Sequence, residues 1–97
     1  MSIFMMFGQY TPEALKGISS ERTRQAVALI KENGGKVRSM YAVLGEHDLV
    51  FVLDFPDTEK AMAASVALRQ LTGIRFATSP VVDVEQFDSL MGKVESI

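Results

Sequence analysis

Apolar residues dominate two stretches between Val37 and Phe55, split by the polar tetrapeptide Gly45-Glu46-His47-Asp48. The first stretch, Val37 to Leu44, mixes polar and apolar positions. The second, Leu49-Val50-Phe51-Val52-Leu53-Asp54-Phe55, is apolar at nearly every residue and is stopped by Pro56. Together they predict a β-hairpin whose second strand must be covered on both faces. An earlier run, Ile3-Phe4-Met5-Met6-Phe7, predicts another strand of the same kind, leaving through a loop that Pro12 and Gly17 keep irregular.

Between these strands the period changes from two to that of a helix. Ser19 and Ser20 offer capping hydroxyls, Glu21 places negative charge in a first turn, and Ala26, Val27, Leu29 and Ile30 recur at helical spacing. Arg22, Gln25, Lys31 and Glu32 are expected to face water, and Asn33-Gly34-Gly35 to end the helix. A second helix is predicted after the capping position Asp57, with Ala61, Ala64, Ser65, Leu68 and Leu71 on one stripe and Gly73 as its stop. Ile74 to Ser79 returns to β-type composition, and Pro80 assigns this fourth strand to an edge or a break. Past Val84, the spacing of Phe87, Leu90, Met91 and Val94 predicts one or two helical turns, limited by Gly92, before frayed final residues.

The order β-α-β-β-α-β predicts a ferredoxin-like α+β sandwich: a four-stranded antiparallel sheet with both helices on one face and the first and third strands central. Those are the two continuously apolar strands. All of residues 1–97 form one domain in this scheme, with a core over about 3–84 and a C-terminal tail over 85–97. The helices cover one sheet face, so the other would expose a large apolar patch in a monomer. Two sheets packed face to face in a homodimer remove it, with higher assembly left open.

Composition narrows the function. Ten basic and twelve acidic residues give a net charge of −2 without a run of either sign, which excludes the concentrated basic stripe of a nucleic-acid surface. The chain has no cysteine, so disulfides, thiolate metal sites and cysteine nucleophiles are out. Met1 to Phe7 lacks the basic flank and cleavage site of a signal peptide, and no apolar stretch approaches the roughly 18 residues of a membrane span. No membrane association is expected, and the cytoplasm is the expected location.

Asn33-Gly34-Gly35-Lys36-Val37, Tyr41, Leu44-Gly45-Glu46-His47-Asp48-Leu49-Val50 and Phe55-Pro56-Asp57 together resemble the GYD domain family, small bacterial and archaeal proteins of largely unknown function. The resemblance spans roughly residues 3 to 84. The family's turn reads Gly-x-Tyr-Asp; Gly45 and Asp48 match it, while His47 stands in the tyrosine's place. The resemblance implies a dimeric α+β barrel. The hairpin is also similar to the effector-binding module of leucine-responsive transcriptional regulators, in which such a turn lies near an amino-acid site between subunits. No helix-turn-helix segment precedes the hairpin domain, so a DNA-binding regulator is not expected.

Four side chains are candidates for a ligand site at the sheet-to-sheet interface. His47, the single histidine, is of a residue type that serves as acid, base or ligand, although a polar residue also suits a turn. Tyr10 and Tyr41 can bury a ring while presenting a hydroxyl at a cavity rim, and Arg38 supplies charge. Asp48 is expected to accept backbone hydrogen bonds within the turn, and Asp54 to pair with Lys36, Arg38 or Arg75. One histidine without cysteine makes no metal site, no Gly-x-Ser-x-Gly or phosphate loop occurs, and no catalytic residue or cofactor is predicted. The expected function is a homodimeric module binding a small metabolite or serving regulation. A cofactor-independent oxygenase or isomerase and a purely structural assembly unit are the alternatives.

Overall fold

The structure, a computed structural model, describes residues 1–95, with side chains described through residue 93. In chain order it forms β1 (Ser2–Gln9), α1 (Pro12–Lys16), α2 (Ser20–Glu32), β2 (Lys36–Ala42), β3 (Leu49–Phe55), α3 (Thr58–Thr72), β4 (Arg75–Val81) and α4 (Val84–Glu95). The expected caps are in place. Ser19 Oγ accepts from the Arg22 amide at 3.0 Å and Asp57 Oδ1 from that of Lys60 at 2.8 Å, each satisfying an orphan donor of a first turn.

The four strands make one antiparallel sheet in the order β2-β3-β1-β4. The chain therefore has the ferredoxin-like α+β fold, with the two continuously apolar strands at its centre. β4 is an edge strand, which is why Pro80 is tolerated opposite Phe4: one side of an edge makes no ladder hydrogen bonds. Strand alternation sends Phe4, Met6, Phe51, Leu53 and Phe55 to one face, where they are buried under Ala26 and Ile30 of α2 and Ala61, Ala64 and Leu68 of α3. Phe4 and Phe55 meet edge to face at 5.9 Å. The alanines of α3 let its axis approach the sheet closely.

Three elements differ from expectation. Residues 11–17 are not wholly irregular: Thr11 Oγ1 accepts from the Ala14 amide at 3.1 Å and Pro12 pre-sets the first turn, so the short helix α1 forms. β2 ends at Ala42 instead of Leu44, and residues 43–48 make a wider connection closed by the Val43 amide on the Asp48 carbonyl at 2.9 Å. α4 runs for 12 residues, straight through Gly92. Asp83 Oδ1 caps it by accepting from the Gln86 amide at 2.7 Å, and a helical glycine costs only about 1 kcal/mol. The expected frayed end, residues 96–97, lies outside the described residues.

α4 barely touches the other elements and leaves Phe87, Leu90 and Met91 exposed. Its projection sets the overall shape: the Cα radius of gyration is 15.2 Å, against about 12.5 Å for a compact chain of this length. Among the described residues no helix is long and apolar enough to cross a membrane.

Candidate functional site

The hairpin connection reaches back to the exit of β1. Because β3 lies beside β1, the Asp48 amide donates to the Gly8 carbonyl at 2.8 Å and Asp48 Oδ2 accepts from the Tyr10 amide at 2.9 Å. Gln9 Nε2 donates to the Glu46 carbonyl at 3.0 Å. The Asp48 carboxylate thus bonds across the sheet to Tyr10, not within its own turn. The cause is topology: Tyr10 follows the last paired residue of β1, so its amide needs an acceptor. Gly45 takes φ +134 in this connection, a conformation that favours glycine.

Fixing Tyr10 builds one rim of a cavity of about 150 Å³ between the sheet and the start of α2. Its floor is apolar, made by Ala26, Met40, Phe51 and Ile74 among others. Gly8 is needed beside it: an added Cβ would meet the Phe76 ring at 3.0 Å and Ile74 and Leu49 at 3.2 Å. Tyr41 borders the cavity from edge strand β2 and is 57% exposed. Tyr41 stands opposite Val50 in register, however, so strand alternation sends its ring to the sheet face away from the helices.

Arg22 lines the same cavity. A helical wheel of α2 alone turns this side chain to water, but it is half-buried: its Nη1 donates to the Ala14 carbonyl at 2.5 Å and its guanidinium lies 5.9 Å from the centre of the Tyr10 ring. The missed signal was Thr11-Pro12-Glu13, the start of α1, because α1 supplies the carbonyl that folds Arg22 inward.

Arg38 and His47 are elsewhere. A bulge between Val37 and Ser39 lets Arg38 Nε reach Asp54 Oδ2 at 2.7 Å on the sheet face away from the helices. The Asp54 carboxylate, through that hydrogen bond first and its charge second, holds the guanidinium of Arg38 above its ordinary pKa. Asp54 is 6% exposed, and its Oδ1 is buried without a partner among the described residues. Around this pair the face is apolar: Ile3, Met5, Phe7, Val50 and Val52 stand side by side in register, each half-buried. His47 packs on Phe7, ring centres 4.9 Å apart, at a separate hollow that also takes in Gln9, Arg69 and Arg75. Of the four candidates, Tyr10 therefore rims a cavity on the helical side, while Tyr41, Arg38 and His47 lie toward the uncovered face.

With this geometry in hand, known proteins offer three comparisons. The family profile described as GYD domain matches residues 4–91. The crystal structure of the Mycobacterium tuberculosis leucine response regulatory protein (LrpA) superposes with a TM-score of 0.55 at 17% identity, over 86% of this chain and 51% of that one. A second solved structure, described only as a glutamate-to-alanine mutant, matches with the same TM-score and identity over 50% of its length. The chain thus spans about half the length of the solved structures it matches, and at this identity the likeness concerns the fold. No curated protein sequence matches at a significant level.

Proposed function

Because the chain belongs to the GYD domain family, we propose that it is a cytoplasmic small-molecule-binding module of regulatory type, one domain over residues 1–97, acting as a homodimer. The cavity rimmed by Tyr10 and Arg22 carries this reading, since a concave apolar hollow with a few polar groups at its mouth is what a small-ligand site requires. The regulatory part rests on the fold shared with a protein named as a leucine response regulator.

The homodimer forms through the uncovered sheet face. Its apolar centre of Ile3, Met5, Phe7, Val50 and Val52 is the surface a second copy would bury. Asp54 Oδ1, buried without a donor, offers that copy an acceptor to satisfy. Arg38 and His47, on this side, then belong to the interface region of the site.

Native mass spectrometry of the purified protein tests both parts. The expected spectrum is a dimer carrying added small-molecule mass, or one that gains it when metabolites are supplied. A monomer at micromolar concentration would overturn the sheet-to-sheet assembly, and a dimer that takes up nothing would favour a purely structural unit.

A further inference from the structure

We propose that the cavity beneath α2 takes a small apolar monocarboxylate, its carboxylate held by Arg22 and its hydrocarbon part on the floor of Ala26, Met40, Phe51 and Ile74. This rests on the binding-module reading above and names its ligand class.

The charge on the cavity wall is one-sided. Among the described residues Arg22 is the single charged side chain lining it, and no acidic one does. A guanidinium carries five N–H donors in a planar fork, and the hydrogen bond to the Ala14 carbonyl uses one. The nearby acids are otherwise engaged: Glu21 pairs with Arg24 at 2.7 Å and the Asp48 carboxylate accepts the Tyr10 amide. A half-buried cation with unused donors next to apolar surface favours an anion that completes the fork, and a carboxylate matches that fork with two parallel hydrogen bonds.

The hydroxyls at the mouth add to the same polarity. Ser19 Oγ accepts from the Arg22 amide, leaving its own hydrogen to donate, and the Tyr10 hydroxyl has no partner among the described residues. Thr72 contributes nothing further, since its hydroxyl donates to the Leu68 carbonyl at 2.7 Å and accepts from the Ile74 amide at 3.0 Å. The mouth therefore offers donors. An α-amino acid would leave its ammonium facing Arg22 with no carboxylate to receive it, so the site selects an acid without that group. Size follows from the volume: a void of roughly 150 Å³ with apolar walls accommodates benzene, which points to a single ring or a short alkyl chain.

The test is an amide chemical-shift titration of the isotope-labelled full chain with benzoate, hexanoate, benzyl alcohol and leucine, in wild type and in R22Q. The expected result is saturable benzoate and hexanoate shifts centred on Ala26, Met40 and Ile74. R22Q should weaken both acids by about tenfold or more, the factor that corresponds to losing one charge-assisted hydrogen bond. Benzyl alcohol should bind more weakly than benzoate and respond little to R22Q. Benzyl alcohol or leucine binding as tightly as benzoate would overturn the ligand class while leaving the cavity as a binding site, as would unchanged benzoate affinity in R22Q. Absence of shifts at the cavity with every probe would overturn the cavity reading itself. If R22Q does not fold, the ranking of the four probes on wild type decides alone.

Discussion

Leu53 and Val52 are neighbours on β3, similar in chemistry, and live in opposite surroundings. Leu53 is 0% exposed among the core side chains of α2 and α3, whereas Val52 stands half-buried on a face that none of the described elements of its own chain covers. The same contrast runs along β1, where Phe4 and Met6 are buried and Ile3, Met5 and Phe7 between them are not. An apolar strand demands cover on both sides, but a ferredoxin-like chain has helices for only one. Composition states the demand; topology decides which half is met within the monomer.

Truncating the covered side gives the largest expected effect. Leu53→Ala should lower unfolding stability by about 2–5 kcal/mol, because it removes transfer energy and leaves a void in a layer that is already closed, as urea denaturation would register. A cost below about 1 kcal/mol would mean that the helical layer repacks freely and that the two faces differ less than their burial indicates.

A charge on the uncovered side should act on association and spare the fold. Val52→Lys places an ammonium at the centre of the apolar face, beside Met5 in register. For the homodimer proposed above, light scattering coupled to gel filtration should then show the mass falling from that of a dimer to that of a monomer, with an unchanged far-ultraviolet circular dichroism spectrum. Retention of the dimer would move the interface elsewhere, with the exposed stripe of α4 as the next surface to test.

What could be read from the chain follows the same division. β1, β3, α2 and α3 were legible because each has a period or a continuous apolar run bounded by caps and breakers: Ser19 and Asp57 open, and Asn33 and Gly73 close, the two helices where expected. α1 was hidden, since five residues hold no period and Pro12 and Gly17 resemble punctuation. Arg22 was hidden with it, because a helical wheel assigns faces from one helix alone and the carbonyl that turns this side chain inward belongs to another. The sequence offered Asp54 three partners, Lys36, Arg38 and Arg75, and neither the choice of Arg38 nor the second oxygen left without a donor among the described residues could be read from it. That Tyr10 lies on the helical side while Tyr41, Arg38 and His47 lie toward the uncovered face depends on which side of the sheet each strand position presents. Side is set by register, and the bulge at Arg38 shifts the register in a way that alternation does not announce.

The smallest effect sharpens the comparison at its margin, in α4. Gly92 sits inside this helix, and a Cβ added there meets nothing within 4 Å. Gly92→Ala should therefore stabilise the helix by about 0.5–1 kcal/mol through reduced backbone entropy of the unfolded chain. Because α4 barely touches the sheet and its helices, the gain should remain local: slower amide exchange over residues 84–95 and an unchanged global unfolding midpoint. A raised midpoint would instead show that α4 unfolds together with the covered core. A dimer that dissociates more readily on dilution would show that a partner copy approaches α4 closely at Gly92, and would add this helix to the proposed dimer surface.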